Sequence, residues 1–288
     1  MNIPDILVLP LIASVLAAVA CGCVGTLTLV RRDTYVAGAV SHAVLAGLGL
    51  AQYLAVVHGA TRFTPTLGAL LAAITAALAA VALRSRKQSS NDSALSAIWA
   101  SGMAIGIGFM SITPGYQADL MNFLFGSILL VSVDDIHTML MLNTLIIAAL
   151  ALFWRGILAT TFNPELATVR GVRTRLFETI ISLVTAIAVV LLVRITGIML
   201  VIALLTLPAM GARSLFRRLI PSMLAAMALA FLAIAAGIAI SWYTNMQPAA
   251  PIVLAAVSIA IAAHGINRLL LLKHKRAQKH LTSRAGDG

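Results

Sequence analysis

The sequence predicts an all-α fold: a polytopic transmembrane helical bundle of about nine spans, with one short helix standing outside it. Three observations predict this. Of 288 residues, 61% are hydrophobic and only 10% are charged, far from the balance of a soluble domain. The apolar residues arrive in runs such as Ile6 to Val30, Leu67 to Leu83, Met223 to Ile240 and Ile252 to Leu272, each long enough to cross hydrocarbon. These runs are nearly continuously apolar and rich in Leu and Ala, without the alternation of barrel strands, so of the two structures a bilayer admits, helices remain.

Taken in order, the spans occupy roughly 6–30, 36–55, 65–83, 94–112, 135–154, 177–193, 197–212, 222–242 and 251–272. The first carries Asp5 where a secretory leader has a basic cluster, and it reads as a retained span. Gly22 and Gly25 in that span, and Gly38, Gly47 and Gly49 in the second, allow neighbouring helices to approach closely. Between the fourth and fifth spans, DLMNFLFGSILLVSV at 119–133 is too short to cross and too apolar for an open loop, which predicts a re-entrant or interfacial helix. Asp134 and Asp135 suit the start of the fifth span as acids at a helix N-terminus. Between the fifth and sixth spans, FNPELATVRGV offers Asn163 as N-cap, Pro164 at the first helical position and Glu165 in the first turn, with Gly171 as the stop. This is a short amphipathic helix that also carries Ala167. In the seventh span Pro208 removes a backbone donor between Thr206 and Gly211, which predicts a bend.

Charge placement orients the bundle. With the N-terminus outside, every Lys and Arg except Arg62 and Arg194 falls in the inner connections, at the inner end of the ninth span or in the tail, as the positive-inside bias requires. The net charge of +11 therefore reports topology and contact with anionic lipid headgroups, and no nucleic-acid partner. Residues 1–272 form one membrane domain, and 273–288 form a basic cytoplasmic tail whose polar composition predicts disorder.

The chemistry that is missing narrows the function. None of the nine acidic residues falls near the middle of a span, where ion-coupled carriers hold a carboxylate. The chain has no GxxxxGK[ST] phosphate loop and no HExxH pair, so neither ATP hydrolysis nor zinc-hydrolase chemistry belongs to it. The chain is not an enzyme. His42, about two turns into the second span, is the exception among its apolar neighbours: a neutral imidazole there either ligates a metal ion or bonds a neighbouring helix, and Ser41 beside it reads as a packing hydroxyl. Cys21 and Cys23 lie about 200° apart around a helix and read as small packing residues. His137 follows Asp134 and Asp135 within a turn, and His264 has no evident partner.

Three stretches, LVRRDTYVAGAVSHAVLAGLGLA at 29–51, FLFGSILLVSVDDI at 123–136 and GIMLVIALLTLPAMGARSL at 197–215, together with FNPELATVRGV, carry a further signal. In order and spacing they resemble the permease subunits of the ABC-type zinc, manganese and iron(II) importer family. The resemblance implies a bacterial cytoplasmic-membrane protein, N-terminus outside and C-terminus in the cytoplasm. Two copies would pair and move a divalent metal ion by alternating access, with no tightly bound cofactor. It implies a separate ATP-binding-cassette subunit that hydrolyses ATP and an extracytoplasmic metal-binding protein that delivers the ion. Residues 163–171 would be the coupling helix seated on the ATPase, and His42 a metal ligand. The family carries an aspartate one turn before this histidine and a proline soon after it. Here those positions are Gly38 and Ala46, so either another carboxylate substitutes, Asp119 or Asp134, or the cargo or its coordination differs. The alternatives are an importer of a metal chelate, such as a siderophore or cobalamin, and a stand-alone carrier.

Overall fold

The computed structural model describes residues 3–60, 62–84, 88–115, 124–126 and 128–285. Among them the chain is helical with no strand. Its elements are α1 (Ile3–Ala20), a π-helical turn (Cys21–Gly25), α2 (Thr26–Val30), α3 (Thr34–His58), α4 (Pro65–Ala82), α5 (Gln88–Ser111), α6 (Val133–Phe162), α7 (Pro164–Val169), α8 (Thr174–Thr196), α9 (Ile198–Leu215), α10 (Leu219–Thr244) and α11 (Ala249–Ala285). Nine stretches of the described residues are long and apolar enough to span a bilayer, and all nine predicted spans are among them. The first is α1, the π turn and α2 in one rod. Only α7, six residues long, falls outside this set.

Local chemistry sets the helix ends. Thr64 caps α4, its hydroxyl accepting from the Leu67 amide at 3.3 Å with Pro65 in the first turn. Ser132 and Asp135 form a reciprocal capping box at the start of α6. Helix α6 runs on past the predicted end at residue 154 to Phe162, because Arg155 lies exposed near the helix end and need not terminate the span.

Small residues bring the helices together. A Cβ at Gly47 would run into the Gly68 carbonyl, one at Gly49 would lie 2.6 Å from the Gly106 oxygen, and Gly25 abuts the Leu205 carbonyl. Helix α3 is thereby held at backbone contact between α4 and α5. Successive spans run antiparallel, and each end of the bundle is tied by charge. At one end Asp33 takes Arg31 at 3.1 Å and Arg84 at 2.7 Å, while Arg84 reaches Glu178 at 3.9 Å. At the other, Arg194 pairs with Asp135 and donates to Thr66.

The re-entrant or interfacial helix expected at 119–133 falls partly outside the described residues, which omit 119–123, Asp119 among them, and 127. In the described part Gly126 packs against the backbone of Thr196 and Gly197 and Ile128 is fully buried in a short 3-10 turn, while Leu130 is exposed. The tail expected to be disordered from Lys273 onward instead continues α11 to Ala285. It is rich in Lys, Arg, Gln and Ala and up to Ala285 has no Pro or Gly, and extending an anchored helix through such residues costs little.

Candidate functional site

Helix α3 places Tyr35, Gly38 and His42 on one stripe at i, i+3 and i+7. His42 is half-buried, eight residues from the start of α3, or about 12 Å along the axis. Its imidazole lies parallel to the indole of Trp99 from α5, ring centroids 4.2 Å apart and planes 12° from coplanar. The indole Nε1 donates to the Met103 sulfur at 3.2 Å, one turn further along α5. On the other side, Gly38 faces Ile202 of α9: a Cβ at residue 38 would sit 3.1 Å from its Cδ1 and 3.6 Å from the Trp99 ring. Ser41 is fully buried and donates to the Gly38 carbonyl at 2.8 Å, the packing role expected of it.

Towards the end of the bundle that carries Asp33, Tyr35 stands 6.2 Å from Trp99 and lines a cavity with Asp33, Arg84, Asn91, Asp92 and Ser182.

The other sequence candidates do not join His42. Asp134 is exposed in the first turn of α6, at the opposite end of the bundle from Asp33, and α6 packs chiefly on α1 and α8. Its neighbour Asp135 is committed to Ser132 and Arg194, and His137 is exposed. Asp119 lies outside the described residues. Among the described residues no three His, Cys, Asp or Glu side chains come together. Cys21 is buried and Cys23 half-buried in the π turn, as packing residues are. His264 Nδ1 contacts the Ala260 carbonyl of its own helix at 3.0 Å.

The second feature is α7, at the same end as Asp33 and Arg84. The Asn163 side chain accepts from the Leu166 amide at 3.0 Å, with Pro164 following it in the first turn. The helix closes through Gly171 at φ +78°, whose amide reaches Thr168 while that of Val172 reaches Ala167, each at 3.0 Å. This is the paired closure a left-handed glycine permits. Ala167 points into the bundle and is buried, while Leu166 and Val169 face outward with 44% and 84% of their surface exposed. A rigid, capped turn thus presents apolar side chains among Arg170, Arg173 and Arg175.

Sequence reasoning missed Trp99, Met103 and Ile202. The available signal was depth: Trp99 is a large aromatic in the first half of its helix, as His42 is in the first half of its own.

A nine-span helical membrane bundle with an intramembrane histidine and one capped, outward-facing turn at its basic end is a transport-type architecture. The sequence pattern of the ABC 3 transport family matches residues 4–266, and the chain belongs to that family. It is 34% identical over 246 residues to an uncharacterized membrane protein of Synechocystis, covering 85% of each chain. It is 29% identical to the manganese transport system membrane protein MntC of Halalkalibacterium halodurans, over 86% of this chain and 83% of that one. It is 28% identical to the high-affinity zinc uptake system membrane protein ZnuB of Haemophilus influenzae, over 74% and 79%. In fold it is similar to PsaBC of Streptococcus pneumoniae, solved in complex with a Fab, with a TM-score of 0.81, 24% identity and coverage of 93% and 95%.

Proposed function

We propose that this chain is the permease subunit of an ATP-driven importer of a divalent transition-metal ion, zinc or manganese in kind. The observation that carries the reading is α7: a short helix capped at both ends, with Leu166 and Val169 turned out of the bundle at its basic end. An exposed rigid turn of this sort costs a membrane protein solubility and stability unless a partner covers it. A separate ATPase supplies that cover and the energy, since the chain has no phosphate loop of its own. The relatives named for manganese and zinc transport support the cargo class.

In this reading the basic end is cytoplasmic, with the N-terminus outside. A metal-binding protein delivers the ion from the outer face to a path between two paired copies of the chain. ATP-driven motion passes through residues 163–171 and switches which side the path opens to. His42 offers the ion a single transient imidazole, weak enough to let it leave. The test is uptake of radiolabelled zinc and manganese by proteoliposomes carrying the permease with its ATPase and delivery protein. ATP-dependent accumulation is expected, and transport that proceeds without ATP or without the ATPase contradicts the reading.

A second reading, an importer of the same build for a metal chelate, is favoured by one observation. Gly38, one turn before His42, faces the Trp99 ring and Ile202 and leaves no carboxylate beside the imidazole. Saturating bound-metal analysis of the delivery protein separates the two, because a chelate brings its organic ligand with it.

A further inference from the structure

We propose that Arg155 and Trp154 of α6, with Phe177 of α8, hold an anionic phospholipid at the end of the bundle that carries α7, the guanidinium taking the headgroup phosphate. The site is independent of the cargo and stands on the membrane-spanning fold alone.

Helix α6 has 30 residues, about 45 Å at the rise of an α-helix, whereas a hydrocarbon core is about 30 Å thick. Arg155 comes 22 residues after Val133, the first residue of the helix, which is about 33 Å along its axis. That is one hydrocarbon thickness from the start, the level of lipid phosphates, and the helix continues beyond it to Phe162. Trp154 beside it is the aromatic type that collects at this level.

Around the helix, Arg155 shares its face with Ala151 and Leu152 of the preceding turn. All three are exposed, Leu152 to 77%. On a span, that surface meets lipid. Arg31, Arg84 and Arg194 each have a carboxylate, but among the described residues Arg155 has neither an acid within ion-pair reach nor a hydrogen-bond acceptor. A guanidinium on the lipid side of a helix then draws on headgroups or water, and phosphate is the anion that its planar fork fits.

The guanidinium also stands over a built groove. Residues 151–156 and Phe177 line a volume of about 420 Å³. Gly156 sets its back wall, because a Cβ there would run into the Phe177 ring, and Phe153 meets the same ring edge-on with centroids 6.4 Å apart. The lining is aliphatic and aromatic, suited to an acyl chain, and its one charge is cationic. Arg173, one turn before Phe177, is exposed at the N-terminus of α8 and adds positive charge on that side. A zwitterionic lipid would bring an ammonium group to these cations, so the anionic headgroup is the one favoured.

Trp154 is its own reporter. Replacing Trp99 and Trp242 by Phe in the full chain leaves Trp154 as the sole tryptophan. The protein is reconstituted in vesicles of phosphatidylglycerol and phosphatidylcholine at equal mole fraction, with one or the other brominated, since bromine quenches an indole only at contact. Quenching is expected to show a roughly fivefold preference for phosphatidylglycerol at low salt, falling as salt is raised. Arg155→Gln is expected to remove the preference and Arg155→Lys to keep it. Inorganic phosphate at constant ionic strength is expected to change nothing, because the acyl chains are part of the ligand. Equal quenching by the two lipids, or a preference that survives Arg155→Gln, overturns the proposal. So does displacement of the lipid by phosphate, which would mark a bare anion site, or the absence of quenching by either lipid, which would put protein over the groove. Should Arg155→Gln fail to reconstitute, the lipid ratio and its salt dependence in the protein that keeps Arg155 decide.

Discussion

Arg84, at the end of α4, donates to the Asp33 carboxylate at 2.7 Å across 51 residues of sequence. The bond joins the last turn of one span to the entrance of α3, the helix that carries His42, and Arg84 also reaches Glu178 at the start of α8. Three helices are fastened beside the cavity that Asp33, Tyr35 and Arg84 line. Because Arg84 and Asp33 are partly exposed, the bond is worth about 1 kcal/mol or less. In a double-mutant cycle of Asp33→Asn and Arg84→Gln, thermal unfolding in detergent is expected to show coupling of that size. Strict additivity would mean that the two charges do not support each other.

Gly47 and Gly68 touch backbone to backbone, and a side chain on either meets the other's carbonyl oxygen. Gly47→Val is expected to destabilise the bundle by at least about 1–3 kcal/mol through overpacking. Gly108 has nothing within 4 Å of its Cβ position, and Gly108→Ala is expected to gain up to about 1 kcal/mol from helix propensity. Detergent melting of the two variants checks both signs, and a Gly47→Val protein that melts like wild type contradicts the close approach of α3 and α4.

Asn163 supplies the side-chain cap of α7. Asn163→Ala is expected to cost about 1 kcal/mol locally and to show first as faster amide exchange at Leu166, well before any change in the melting of the whole bundle. Unaltered exchange there would mean that α7 is held by its neighbours and not by its cap.

Val169 is the more exposed of the two large apolar residues of α7, the other being Leu166. Val169→Glu places a carboxylate where the ATPase is expected to sit, and desolvating it costs about 1–2 kcal/mol, or roughly tenfold in affinity. Loss of co-purifying ATPase from a permease of normal stability is the expected result, and full retention counts against docking at α7.

Pro208 lies inside α9 without an amide to give, while Thr206 donates at 2.7 Å to the carbonyl of Ile202, the residue that faces Gly38. Pro208→Ala restores the missing donor and is expected to raise the melting temperature while slowing metal uptake, since a stiffer α9 resists the change of access. Uptake at the wild-type rate would show that the proline only shapes a static helix.

The spans were legible because in hydrocarbon length and apolarity decide nearly everything, so α3 or α10 can be read without knowing any neighbour. The local motifs were equally legible: Asn163, Pro164 and Gly171 fall within one nine-residue stretch, and the structure places the cap, the first-turn proline and the left-handed stop where the residue types predict them. The site was half legible. His42 is conspicuous as an ionisable group inside a span, but its partner lies 57 positions away on α5, and nothing in the residues around Trp99 announces a stack with an imidazole. The same holds for Arg194, whose pairing with Asp135 arises only when α6 and α8 are packed together. The π turn at Cys21–Gly25 has no signature in residue type, because it follows from fitting Gly22 against α10 and Gly25 against α9 on one rod.

The most direct measurement of the central claim is the sidedness of α7. With Cys21 and Cys23 replaced by Ala and Val169 by Cys, an impermeant thiol reagent is added to right-side-out and inside-out membrane vesicles. Labelling only in inside-out vesicles, blocked when the ATPase is bound, is the result expected of a turn that receives the stroke of a cytoplasmic ATPase. Labelling in right-side-out vesicles would put α7 on the outer face, where no ATPase can reach it, and would contradict the account.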